Sequence, residues 1–127
     1  MSIVWLSSME LGHAGIDRDH KTVLGIIRNC DLALRDGRQA DAAAAMADLR
    51  VEVAAHFARE IDLMSEAHYD RTEEHAQGHR RGLAEIEGMV EAARQGRLAA
   101  DAMQGLIDTF ARRLFFDDAH FVNFLNR

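Results

Sequence analysis

Residues Ala55 to Leu83 read AHFAREIDLMSEAHYDRTEEHAQGHRRGL, and the spacing inside this stretch decides the fold. His56 and Glu60 stand four residues apart, as do His75 and His79. On an α-helix that interval stacks two side chains on one face. The linking segment SEAHYD breaks both helical patterns, so the stretch reads as two antiparallel helices, each aiming two ligands at the other. Three imidazoles and a carboxylate converging in a helical core suit iron, zinc, copper or manganese. A single histidine on a helix is ordinarily a surface or hydrogen-bonded core residue, and either pair alone arises often by chance. Two pairs facing across a short turn favour a metal over that account.

Working outward, a first helix is expected from about Asp19 to Arg35, stopped by Asp36-Gly37, with His20, Leu24, Ile27 and Leu34 on its buried stripe. The second runs from about Gln39 to Ser65 and carries Leu49, Val53, His56, Glu60, Leu63 and Met64 inward. A carboxylate at Glu60, inside an apolar stripe, needs a charged or hydrogen-bonding partner, either a metal or an arginine. The third starts near Arg71 with Asp70 as its cap, presents His75, His79, Leu83, Ile86 and Val90, and ends at Gln95-Gly96. The fourth, from about Ala99 to Asn126, places Met103, Leu106, Phe110, Leu114, Asp117, His120 and Phe124 inward. Short connections make this an all-α, up-down-up-down four-helix bundle. Residues Met1 to Asp17 form an N-terminal arm whose Trp5 packs on the core.

At 127 residues the chain, 1–127, is one domain, large enough to bury a core without disulfides. It is 48% hydrophobic and 28% charged and lacks proline, the balance of a soluble helical protein. The net charge of −6, with basic residues scattered among acids, excludes a nucleic-acid footprint. Without an apolar run of about 20 residues or a signal pattern, no membrane partner and a cytoplasmic location are expected. Cys30, the single cysteine, reads as a small buried hydrophobe.

Five of the seven histidines thus fall on inward stripes: His20, His56, His75, His79 and His120. His13 and His68 fall in the arm and a loop. Five buried imidazoles without a metal would leave many nitrogens short of partners.

The arrangement resembles the hemerythrin family, its bacterial single-domain members in particular. The resemblance rests on Trp5, the GIDRDH segment (Gly15 to His20), HFAREIDLM (His56 to Met64), Tyr69 and HAQGH (His75 to His79), and it covers nearly the whole chain. It implies a four-helix bundle around a non-haem di-iron centre that binds O2 reversibly, two irons per chain. By position, His75, His79 and His120 would hold one iron, His20 and His56 the other, and Glu60 would bridge them.

The family's last motif is a histidine followed five residues later by a bridging aspartate. Here His120 is followed at that distance by Leu125, and Asp117, three residues before His120, is the candidate substitute bridge. Loss of that anion would leave a more positive core, disfavour the ferric state and weaken the iron on His20 and His56. An open position would also admit peroxide or NO. The expectation is an iron protein that binds or senses O2; the alternatives are a peroxidase-like or ferroxidase-like redox enzyme and a metal-poor interaction module.

Overall fold

His13 opens the first helix earlier than the apolar pattern suggests. Its Nδ1 accepts a hydrogen bond from the Ile16 amide at 3.1 Å, the part usually played by Ser or Asp, so α1 spans Ala14–Arg35. In this computed structural model, which describes residues 5–127 apart from the side chains of Thr109 and Phe110, every regular element is helical and no strand occurs among the described residues. Helix α2 spans Gln39–Glu66 and α3 Thr72–Arg94. Helix α4, Ala102–Leu106, passes through a π-helical turn at Ile107–Ala111 into α5, Arg112–Leu125. A 3-10 turn, Ser7–Met9, lies in the arm.

Three left-handed residues end the long helices. Gly37 (φ +72°) closes α1 with the Arg38 amide donating to Ala33 O at 2.8 Å, and Gly96 (φ +69°) closes α3 with Arg97 donating to Ala92 O at 2.8 Å. Helix α2 closes the same way with a histidine: His68 has φ +55°, and the Tyr69 amide donates to Met64 O at 3.0 Å. The expected Asp70 cap is not found. Arg71 occupies the cap position without a side-chain bond, and Thr72 Oγ1 instead donates to Tyr69 O at 2.7 Å, fixing the corner.

Two apolar clusters fill the interior. The larger gathers Val23, Ile27, Met46, Leu49, Val53, Ile86, Met103, Leu106 and Leu114; the smaller gathers Ile16, Met64, Tyr69, Phe121 and Val122. Along α1, α2 and α5 the buried polar residues fall between the members of the two clusters: His20 between Ile16 and Val23, His56 and Glu60 between Val53 and Met64, Asp118 between Leu114 and Phe121. A polar band is therefore closed on both sides by hydrocarbon. Trp5 packs against the larger cluster 6.0 Å from the Phe115 ring, with Lys21 Nζ 5.2 Å over it. Cys30 is fully buried, and burial pushes its thiol up to about 11, which keeps it protonated and inert. Among the described residues no helix is long and apolar enough to cross a membrane.

Candidate metal centre

Asp118 is the hub of the polar band. It is completely buried, and the Nε2 atoms of three histidines surround it: His20 at 2.6 Å and His56 at 2.9 Å from Oδ2, His75 at 3.0 Å from Oδ1. Glu60, equally buried, lies on the other side of His75, its Oε1 2.7 Å from His75 Nε2 and 3.2 Å from His79 Nε2. The potential ligands sort into two groups that share Asp118: Glu60, His75, His79 and Asp118, and His20, His56 and Asp118, with the ligand atoms of each group within 4.8 Å of one another.

Three features fit this set to metal ions. Bonds of about 2.1 Å at right angles put neighbouring ligand atoms about 3 Å apart, and the nitrogen–oxygen separations here run from 2.6 Å to 3.4 Å. The second feature is a tautomer argument at His56. Its Nδ1 faces Asp19 Oδ2 at 2.9 Å, and Asp19 is in turn held by Arg59 at 2.7 Å and 3.1 Å. A neutral His56 that donates from Nδ1 presents a bare lone pair from Nε2 to an Asp118 oxygen 2.9 Å away, so a proton or a metal cation must stand between them. Third, Glu60 Oε2 is buried with no hydrogen bond, His56 Nε2 being 3.4 Å away. Burial without a partner is costly for a carboxylate oxygen, and a cation removes that cost.

The titration behaviour expresses the same demand. Burial opposes charge on His56 and His75, yet hydrogen bonding and charge from Asp118, with Glu60 contributing, raise both to about 9. Burial likewise opposes the charge of Asp118, but the hydrogen bonds from His20, His56 and His75 hold its carboxyl well below the usual range. Glu60 moves the other way: burial and then the neighbouring Asp118 charge push it up, against the lowering influence of His75 and His79. Without metal, protons on the imidazoles neutralise Asp118. A bound metal would replace those protons.

The rings are oriented by different means. His56 has its carboxylate, Asp19, behind Nδ1. The Nδ1 atoms of His20 and His79 have no hydrogen-bond partner, and aromatic packing fixes those rings instead: Phe115 meets His20 edge-on at 4.4 Å, and Phe57 stacks on His79 at 3.7 Å with planes 2° apart.

Of the residues singled out from sequence, His20, His56, Glu60, His75 and His79 are brought together and His120 is not. His120 is half-buried, and its Nδ1 is hydrogen-bonded with Tyr69 OH at 2.9 Å. The buried carboxylate is Asp118, which corrects the placement of Asp117: Asp117 lines surface cavities with Arg113. One residue on an α-helix is a rotation of about 100°. After Leu114 the buried stripe steps by four to Asp118 and then by three to Phe121, not by three to Asp117 and His120. The π-turn just before adds a residue to the turn and disturbs the regular count. Phe110, also expected inward, has its side chain outside the described residues. Leu125 is half-buried against the smaller cluster, away from the polar band. Asp19 was not anticipated, although its place beside His20 and the Arg59 next to Glu60 were visible.

Beside the His75 and His79 half lies a cavity of about 280 Å³ lined by Phe57, Gly78, Arg81, Arg113 and Asp117 among others. In comparisons with known proteins, no family model matches the chain and no curated protein matches it.

Proposed function

We propose that the protein is a hemerythrin-like non-haem iron protein that binds or senses O2 at a di-iron centre, held in an up-down-up-down four-helix bundle in the cytoplasm. The observation that carries this reading is the pairing of two buried carboxylates, Glu60 and Asp118, with four histidine Nε2 atoms, in two groups of ligand atoms that share Asp118. Two adjacent irons would supply one-electron steps and coordination positions open to a small ligand. Glu60 and Asp118 would offset the charge of the ions, and Asp19, held by Arg59, takes the hydrogen bond of His56 Nδ1 so that the Nε2 lone pair would face the metal. Phe115 and the apolar clusters keep water from the His20 ring, and Phe57 covers one face of His79.

The position of Asp118 moves the point at which the chain departs from the hemerythrin pattern. If Asp118 is the aspartate of the last motif, the residue five places earlier is Arg113 and not a histidine. On this reading the carboxylate bridge is complete and one imidazole is lost from the His75 and His79 half, so each iron has two histidines. The cavity at that half is bordered by Arg113. That opening favours, as a second reading, a redox enzyme that takes peroxide or NO at the vacated position.

Iron analysis with visible spectra under air and under argon tests both. A reversible, O2-dependent band is expected for the first reading, and irreversible oxidation with turnover for the second. A chain that binds no metal refutes both and leaves an interaction module.

A further inference from the structure

His120, sought as a ligand, is instead the partner of the only tyrosine in the chain. Tyr69 is 6% exposed, and its hydroxyl lies within hydrogen-bond distance of His120 Nδ1, at 2.9 Å. Its ring centroid lies 6.4 Å from that of His75, whose Nε2 touches both Glu60 and Asp118. Phe121 and Phe124 cover the phenol at 5.0 Å and 4.9 Å. His120, Tyr69 and His75 all border one cavity of about 280 Å³, lined also by Arg113 and Asp117. A buried phenol needs a hydrogen-bond partner in any case. What packing alone does not require is that the partner be a base with a path to solvent while the ring leans on a histidine of the centre.

We propose that Tyr69 is a one-electron redox site serving the metal centre, oxidised by peroxide with its phenolic proton passing to His120. The proposal rests on the iron reading above. Reduction of one hydrogen peroxide takes two electrons and two protons and gives two waters. Tyr69 supplies one electron and ferrous iron the other, while solvent supplies the two protons. The O–H bond of Tyr69 breaks as its proton bonds to His120 Nδ1, leaving a neutral phenoxyl beside an imidazolium. A phenol that has lost an electron is a strong acid, so an acceptor already in hydrogen-bond contact lets both transfers occur together.

The iron-loaded full chain, mixed with hydrogen peroxide and frozen, is examined by electron paramagnetic resonance. An organic radical is expected that narrows with ring-deuterated tyrosine, carries an exchangeable-proton coupling lost in heavy water, and disappears in Tyr69→Phe. In His120→Phe its yield should fall roughly fivefold or more, a lost hydrogen bond's worth, with iron content unchanged. A radical that survives Tyr69→Phe, or a yield equal in His120→Phe, overturns the proposal, as does a wild-type radical without the exchangeable coupling, a test that needs no variant to fold. A chain without iron refutes the iron reading separately. Tyr69 is then judged in the metal-free chain with a photogenerated ruthenium(III) polypyridyl oxidant: the same hydrogen-bonded radical supports the tyrosine–histidine pair, and a radical on Trp5 overturns it.

Discussion

Asp118→Asn keeps the shape of the side chain and removes its charge. The Nε2 atoms of His20, His56 and His75 lie 2.6 Å, 2.9 Å and 3.0 Å from this carboxylate, which is the leading influence raising His56 and His75 to about 9 from an ordinary 6.5. A rise of that size corresponds to about 3 kcal/mol for each imidazole. The two share one carboxylate, so the contributions do not add, and about 3–5 kcal/mol is the expected loss, as for other buried pairs deprived of one partner. Urea unfolding with a chelator at pH 7 reads this quantity. Metal analysis of the same variant should show at least half the iron gone, because both ligand groups contain Asp118. Asp117→Asn is the control and should cost no more than about 0.5 kcal/mol with iron retained. Equal effects in the two variants, or an Asp118→Asn protein that keeps its iron and its stability, would refute the assignment.

The pH dependence should change sign with metal. Because His56 and His75 are raised above their unfolded values, their stabilisation in the chelated protein is fully present below about pH 6.5 and is lost as pH rises through about 9. In the loaded protein the same protons compete with metal, so iron affinity should rise over that range, and loading at pH 7 should release about two protons per chain to an indicator dye. Asp19→Ala removes the acceptor behind His56 Nδ1 and should weaken iron binding by about 10–100-fold, measured by competition with a chelator. Leu125→Asp should add no iron and should lower the melting temperature, since it puts a charge against Ile16, Met64 and Tyr69. Arg113→His should tighten the more weakly held metal if the cavity beside His75 and His79 marks a missing imidazole; unchanged affinity would argue that Arg113 is only a surface residue.

Much of this was legible in the sequence because it depends on steps of three and four. The His56–Glu60 and His75–His79 pairs, the Gly37 and Gly96 stops and the apolar stripes of α1 to α3 all follow from regular helical repeats. The last helix was not readable in the same way. Leu114, Asp117, His120 and Phe124 form a stripe as regular as Leu114, Asp118 and Phe121, and a histidine on the first stripe made it the more attractive one. Only the packing of α5 against α1 and α2, through the bonds from His20 and His56 to Asp118, separates the two. Nor does a sequence announce a π-turn, whose extra residue has no compositional mark.

That one-residue difference alters the electrostatics of the whole centre. With Asp117 outside and Leu125 opposite, Glu60 would be the lone anion among five imidazoles, and each added metal charge would be poorly compensated. With Asp118 inside, two carboxylates meet four imidazoles; Asp118 is held ionised by the imidazoles around it, and its charge, after burial, pushes Glu60 up. Their proximity stores a demand for positive charge that His56 and His75 meet by staying protonated. Divalent ions meet it better, since each can contact both a carboxylate and two Nε2 atoms at once and frees Glu60 Oε2 from its unpaired burial. Replacing protons by metal at these ligand atoms should therefore make the site more stable than charged imidazoles alone can make it.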